Sequence, residues 1–173
     1  MSDIILTPLD LEHLEWAREL HNDPDVIKML TDPHVVTPEE QMTWFDRLQS
    51  SDSWERVLVM IDGTPAGVVR LDQIDYYNRS IGVGLDIHKD FRGKGHAKPI
   101  YKMVLDKLFN IHHFNRVWLL VAAYNEVAIN LYKGLGFVYE GSQRQALLKD
   151  GKLFDYHFMS ILKSEFAPAA QEQ

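Results

Sequence analysis

The longest apolar run in the chain, residues 117–123, lies between two segments with helical periodicity, and this arrangement constrains the fold more than any other feature. The run is far too short for a membrane helix, which needs roughly 20 apolar residues. A short apolar run of this kind predicts a buried strand. On its two sides, residues 95–110 and 126–135 carry apolar side chains at helical spacing, and Gly136 is placed to close the second helix. A buried strand between two helices predicts an α/β domain.

The remaining elements complete a mixed order of strands and helices. The predicted strands cover 4–7, 56–61, 66–74, 80–88, 116–123, 137–148 and 152–162, and the predicted helices cover 10–21, 24–30, 37–48, 95–110 and 126–135. Asp10 and the capping residue Thr37 mark two helix starts, and Leu11 and Met42 are placed on the buried faces of those helices. We expect one domain over 1–173, an α/β fold with a single mixed central sheet flanked by helices, and a disordered tail from about residue 167.

Composition excludes several classes of function. The chain has no cysteine, so disulfides, thiolate zinc sites and thiol nucleophiles are ruled out. Its net charge of −7 makes nucleic acid a poor partner, because nucleic-acid binding depends on neutralising phosphates. The adjacent pair His112 and His113 is a poor metal site, since neighbouring side chains diverge and no acidic cluster supports them. We expect no metal, no membrane segment and a cytoplasmic location, because the N-terminus lacks the features of a signal peptide.

A glycine-containing turn lies between the strand predicted at 80–88 and the helix that follows it. A helix N-terminus presents unpaired amides, and glycines let such a backbone curl around an anion such as phosphate. The turn is neither a Walker A loop nor a dinucleotide fingerprint, since it lacks the Ser or Thr of the first and the third glycine of the second. A simple helix-starting turn is the alternative. The turn consists of Arg92, Gly93, Lys94, Gly95, His96 and Ala97.

Two motifs together resemble the GNAT acetyltransferases. Arg92-x-x-Gly95-x-Ala97 is similar to the family's R/Q-x-x-G-x-G/A loop, and Asn125-x-x-Ala128-x-x-x-Tyr132-x-x-x-Gly136-Phe137 to its N-x-x-A-x-x-x-Y-x-x-x-G-F segment. The resemblance covers roughly residues 4–162, and the C-terminal part looks like the branch of Rim-type, polyamine and nucleotide-amino-sugar acetyltransferases. It implies a GNAT fold whose sheet is splayed between the fourth and fifth strands, and an enzyme that uses acetyl-CoA.

The same resemblance assigns roles to individual residues. Residues 92–97 hold the pyrophosphate of acetyl-CoA, the backbone at Leu85 and Ile87 contacts the pantetheine arm and thioester, and Asn125 binds the pantetheine. Tyr132 is the general acid that protonates the departing thiolate. With ordinary pKa values of about 10 for tyrosine and about 8.5 for a thiol, this transfer is uphill by only about 2 kcal/mol. The alternatives are a helix N-cap for Asn125 and a core tyrosine at position 132.

The resemblance also implies that the acceptor is an amine, and we expect it to attack directly, without a covalent enzyme intermediate. Related polyamine enzymes have a glutamate where this chain has Gly82, so the first expectation is an amine of lower pKa, a nucleotide-linked amino sugar. A protein N-terminus or a polyamine is the alternative, and a non-catalytic acyl-CoA sensor and a nucleotide-binding domain unrelated to CoA are the further ones. A homodimer is also expected. Candidates for the base are Asp86, His88 and His34, and candidates for contacts to the acceptor's phosphates are Arg70, Arg79 and Arg144. Residues that lie in the region expected to form the acceptor site are Trp16, Trp44, Tyr76, Tyr77, Arg144 and Asp155.

Overall fold

A computed structural model describes residues 2–28, 30 and 33–166 of the chain. Its strands form a sheet in the order β1-β2-β3-β4-β5-β7-β6, in which β4 and β5 are parallel while the pairs β1–β2, β2–β3, β5–β7 and β6–β7 are antiparallel. The strands are β1 (Ile4–Pro8), β2 (Trp54–Ile61), β3 (Thr64–Asp75), β4 (Ser80–Ile87), β5 (Arg116–Ala122), β6 (Val138–Lys149) and β7 (Lys152–Leu162). The helices are α1 (Leu14–Asn22), α2 (Pro24–Ile27), α3 (Pro38–Gln49), α4 (Ala97–Asp106) and α5 (Glu126–Lys133). The mixed sheet flanked by helices is confirmed, and the tail predicted from residue 167 lies outside the described residues.

The chain forms two compact units, of which the first runs to Ile74 and also includes Val83–His96. Its core joins α1 and α3 to the sheet through buried apolar side chains. The core members are Leu9, Leu14, Ala17, Leu20, Val26, Phe45, Leu48, Leu58 and Val68. Thr37 caps α3 as predicted, and together with Glu40 it forms a full capping box.

Two helix predictions in this unit are wrong in detail. Asp10 accepts hydrogen bonds from the backbone and ring of His13, so it caps a turn ahead of α1, which begins only at Leu14. Leu11 lies in that turn and is therefore 63% exposed. On α3, Phe45 and Leu48 are buried as predicted, whereas Met42 is exposed and Gln41, one turn ahead of Phe45, is buried in its place.

The second unit comprises Asp75–Gly82 and the chain from Ala97 onward. The apolar run forms β5, whose Val117, Leu119 and Val121 are buried as predicted. α4 is shorter than predicted, since its last part continues as a π-helical turn over Lys107–Ile111. This turn still buries Leu108.

The ladder between β4 and β5 is short. It contains the pairs Ser80–Arg116, Ile81–Val117 and Gly82–Trp118, whereas β4 extends to Ile87 and β5 extends to Ala122 along β7. The parallel pairing therefore reaches only to Gly82, in the strand pair for which the resemblance predicts a splay.

Candidate active site

The arginine–glycine turn follows β4 and leads directly into α4 at Ala97. Gly93 has φ of 71° and Gly95 has φ of 82°, in the left-handed region that side chains with a Cβ avoid. A Cβ built on either glycine meets no atom within 4 Å, so glycine is needed here for its backbone conformation and not for space. The loop is largely exposed, including Lys94, while His96 is half-buried with its ring edge-on to Phe91.

The side chain of Arg92 is directed back onto its own unit. Its Nε donates to the carbonyl of Ile87 at 2.7 Å, and its terminal nitrogens lie 3.5 Å from an oxygen of Asp25 and 3.8 Å from one of Asp23. The guanidinium thus ties the turn to the end of β4 and to the start of α2. The prediction that Arg92 contacts a pyrophosphate stays a prediction, and this structure gives its side chain a bracing role.

The last part of β4 carries the two backbone positions predicted for the pantetheine arm. Leu85 and Ile87 are both half-buried, and the Ile87 carbonyl is the acceptor for Arg92. A Cβ on Gly67 would lie 2.6 Å from the carbonyl oxygen of Asp86, so β3 approaches this segment at a distance that only glycine allows. This close approach fixes the backbone of β4 just ahead of the turn.

Asn125 caps α5, which confirms the alternative role that its position suggests. Its Oδ1 accepts a hydrogen bond from the backbone N–H of Ala128 at 3.1 Å. The helix closes at Gly136, with φ of 97°, where the N–H of Phe137 donates to the Tyr132 carbonyl at 3.0 Å. The cap uses only the carbonyl oxygen of the Asn125 side chain, so a pantetheine contact through its NH2 group remains compatible with the cap.

Tyr132 projects from the last turn of α5 and is half-buried rather than buried in the core. Its hydroxyl accepts a hydrogen bond from the hydroxyl of Tyr101 at 3.3 Å, and the two rings meet edge-on with centroids 5.5 Å apart. The Phe137 ring lies 5.8 Å away. The phenol is therefore held by two aromatic neighbours, one of which binds its oxygen.

A polar cluster in the first unit contains Arg70, Asp86, His21 and His34. Arg70 Nε is 3.1 Å from a carboxylate oxygen of Asp86, and a Cβ on Gly84 would lie 2.7 Å from Arg70 Nη2. Arg70 therefore lies over the face of β4 that carries both Gly84 and Asp86. The His21 and His34 rings meet edge-on at 6.2 Å, and burial lowers the pKa of His21, so that its ring is neutral at pH 7.

The other residues predicted by region are spread over both units. Trp16 lies 6.2 Å from the His88 ring, Trp44 packs on Trp54, Tyr76 packs on Phe114, and Tyr77 is 94% exposed. Arg79 has a positive φ in the turn before β4, Arg144 is exposed on β6, and Asp155 accepts the backbone N–H of Gln145. None of these contacts by itself assigns a catalytic role.

Sequence reasoning missed Tyr101, His21 and the steric role of Gly84. Tyr101 sits among the apolar residues of α4 and carries no local signal of function. Its partner lies 31 residues along the chain, and only the fold brings the two hydroxyls together.

A pocket of about 580 Å³ in the second unit lies at α5 and strands β6 and β7. Its lining consists of Glu126, Ile129, Asn130, Lys133, Tyr139, His157 and Met159. None of the residues predicted for catalysis or coenzyme binding lines it. Within the described ranges, no group of three or more His, Asp or Glu side chains is placed to hold a metal ion, and no helix is long and apolar enough to cross a membrane.

A short parallel pairing of β4 with β5, a glycine turn and a capped helix that carries a phenol are the elements that the resemblance predicts for an acyltransferase. Residues 3–138 match the family model described as Acetyltransferase (GNAT) domain. The chain therefore belongs to the GNAT family of N-acetyltransferases, and acetyl-CoA is its acetyl donor.

Known relatives act on different amines. The spermidine N(1)-acetyltransferase of Escherichia coli K12 is 27% identical over 161 residues, which cover 93% of this chain and 87% of the relative. The L-amino acid N-acetyltransferase AaaT of the same organism is 26% identical over 166 residues, which cover 94% of this chain and 100% of the relative. The spermidine N-acetyltransferase of Vibrio cholerae, solved in complex with CoA and spermine, superposes with a TM-score of 0.89 at 26% identity, covering 94% of this chain and 96% of that one.

Proposed function

We propose that this N-acetyltransferase transfers the acetyl group of acetyl-CoA to a primary amine of a polyamine. The similarity to spermidine N-acetyltransferases over nearly the whole length of both chains carries this proposal. The relatives support this alternative better than the nucleotide-linked amino sugar expected first from the sequence. The net charge of −7 also favours a polycationic substrate.

In the proposed reaction the amine nitrogen attacks the thioester carbonyl directly, the new C–N bond forms, and the C–S bond breaks. The amides of residues 92–97 bind the pyrophosphate of the coenzyme, and Tyr132 donates its proton to the thiolate sulfur. The tyrosinate is then reprotonated from water. This assignment of the acid rests on the motif match and on the half-buried, hydrogen-bonded phenol.

The amine must lose a proton before or during attack. An aliphatic amine with a pKa of about 10.4 is neutral less than about 0.1% of the time at pH 7. The carboxylate of Asp86 already forms an ion pair with Arg70 at 3.1 Å, so it is not proposed as the base. We therefore assign the amine proton to water, and expect kcat/KM to rise about tenfold per pH unit below the pKa of the amine.

A second candidate acceptor is an α-amino acid. The guanidinium of Arg70 over Gly84 places a positive charge in the polar cluster of the first unit, where a carboxylate could pair with it. The similarity to an L-amino acid N-acetyltransferase points the same way. A carboxylate on the acceptor would have to displace the existing ion pair with Asp86.

An acceptor panel decides between these assignments. The wild-type protein is incubated with acetyl-CoA and spermidine, spermine, L-amino acids, a nucleotide-linked amino sugar or an N-terminal peptide, and free thiol and acetylated product are measured. We expect spermidine or spermine to give a kcat/KM at least about tenfold above that of the other amines. This is the effect of one charged contact that the polyamine makes and the other amines lack. Turnover confined to amino acids would assign the second candidate, turnover confined to sugars or peptides would contradict both, and binding of acetyl-CoA without turnover of any amine would indicate a sensor.

A further inference from the structure

Tyr101 is a buried tyrosine whose hydroxyl is directed at the proposed acid. It lies on α4, is 2% exposed, and its immediate neighbours on the buried face are Ile100, Val104 and Leu105. A buried phenol normally satisfies its hydroxyl with a partner, and here the Tyr101 O–H donates to the oxygen of Tyr132 at 3.3 Å. Phenylalanine would fill the same space in an apolar helix face, so packing alone does not explain the hydroxyl.

Tyr132 is the acceptor in this hydrogen bond, so the bond with Tyr101 does not use the Tyr132 proton. When Tyr132 gives up its proton, negative charge develops on the oxygen that Tyr101 contacts. A hydrogen bond to the charged form of a group favours that form, and bonds that are long in the free enzyme tighten as charge develops.

We propose that Tyr101 is a positioning residue for acetyl transfer, which orients the phenol of Tyr132 and stabilises the tyrosinate formed when Tyr132 protonates the thiolate of CoA. The inference rests on the proposed function, and specifically on Tyr132 as the acid. During the step the proton moves from the Tyr132 oxygen to the sulfur, while Tyr101 keeps its own proton. The edge-on contact of the two rings fixes the angle at which the hydroxyls meet.

Three variants test this role. Tyr101→Phe removes only the hydroxyl, and we expect kcat to fall about tenfold, the effect of one charge-assisted hydrogen bond, with the KM values for acetyl-CoA and amine unchanged. In the Tyr132→Phe background the same substitution should have no further effect, because the oxygen it serves is gone. Tyr139→Phe is the matched control, since it removes a phenol hydroxyl that bonds another hydroxyl, that of Ser142, on the edge strand β6. It should leave kcat unchanged.

A second readout separates positioning from a merely structural role. Without the donor, the pKa of Tyr132 rises, so the fall of kcat at high pH should move to higher pH in Tyr101→Phe. Ultraviolet titration of tyrosinate, taken as the difference between each protein and its Tyr132→Phe counterpart, measures the same shift without turnover. The inference is overturned if Tyr101→Phe has wild-type kcat and an unmoved titration, or if it slows both backgrounds equally. If Tyr132→Phe itself turns over at the wild-type rate, the acid assignment fails, which is a different result.

Discussion

At the scale of single residues, the two glycines of the turn have a conformational role that can be separated from coenzyme binding. Gly93 and Gly95 both hold positive φ with open space where a Cβ would lie. Substitution therefore strains the backbone without creating a clash. The strain distorts the turn whose amides are proposed to bind the pyrophosphate.

Gly95→Ala is expected to weaken acetyl-CoA binding by about tenfold and to destabilise the protein by about 1 kcal/mol, the cost of placing a Cβ in the left-handed region. Isothermal titration and urea unfolding measure the two effects. Gly63→Ala is the control, because Gly63 has φ of 76° with open space in the β2–β3 hairpin. It should cost similar stability and leave coenzyme affinity unchanged; equal affinity losses in both variants would show that the turn at 92–97 does not bind the coenzyme.

The role of a residue could be predicted where it depends on neighbours in the sequence. It could not be predicted where it depends on residues that only the fold brings close. The glycines of the turn and Asn125 stand in short motifs, and their backbone conformation or capping bond follows from the sequence around them. The direction of the Arg92 side chain did not follow, because its partners Asp23 and Asp25 lie far away in the chain. The contact between Tyr101 and Tyr132 was hidden for the same reason.

At the scale of elements, the start of α5 combines a structural and a proposed binding role in one side chain. Asn125→Asp keeps an oxygen for the cap but loses the amide donor, whereas Asn125→Ala loses both. We expect Asn125→Ala to lose about 1 kcal/mol of stability and Asn125→Asp to stay close to wild type. Both should bind acetyl-CoA more weakly, as measured by titration, if the amide donates to the pantetheine. Wild-type affinity in Asn125→Asp would leave Asn125 with capping alone.

The edge strand β6 is tied to β5 and β7 by a charged contact. The Arg116 guanidinium binds the Glu140 carboxylate, Ser160 donates to it at 2.7 Å, and the pKa of Glu140 is lowered to about 2, chiefly by the hydrogen bond from Arg116. Because the folded pKa is depressed, this contact stabilises the fold above the ordinary pKa of 4.5, and the stabilisation is lost as pH falls toward about 2. The Glu140 side chain is 37% exposed, so solvent screening reduces the contribution to about 1 kcal/mol.

Glu140→Gln should therefore lower the free energy of unfolding by about 1 kcal/mol at pH 7, and this deficit should shrink as the pH falls from 4.5 toward about 2. Urea unfolding of both proteins at several pH values measures the difference. A deficit that stays constant from pH 7 to pH 2.5 would mean that the charge of Glu140 does not contribute.

Most helices and strands could be predicted from periodicity and turn residues, but the residues at which they begin and end could not. Asp62-Gly63 and Asp150-Gly151 each lie between two predicted strands, and both pairs adopt the positive φ of hairpin turns. α1 begins later than predicted because Asp10, although a good capping residue, caps the turn ahead of the helix and not the helix itself. The π-helical end of α4 carries no sequence signal, since its apolar spacing is compatible with either helix type.

At the scale of the whole molecule, the net charge of −7 bears on the proposed polyamine acceptor. A negatively charged protein attracts a trication over long distances. Salt screens this attraction, since the Debye length is about 10 Å at 0.1 M salt. The KM for spermidine should rise several-fold between about 0.05 and 0.3 M salt, with kcat unchanged. Steady-state assays with spermidine and with a monoamine measure this, and an equal salt effect on the two amines would contradict electrostatic recruitment.

The most direct test of the account is a single-turnover measurement with radiolabelled acetyl-CoA and saturating amine, in wild type and Tyr132→Phe. We expect the variant to bind acetyl-CoA with unchanged affinity and to transfer the acetyl group about 100-fold more slowly, the usual effect of losing a general acid. Transfer at the wild-type rate in Tyr132→Phe, with binding intact, would contradict the claim that this phenol protonates the departing thiolate.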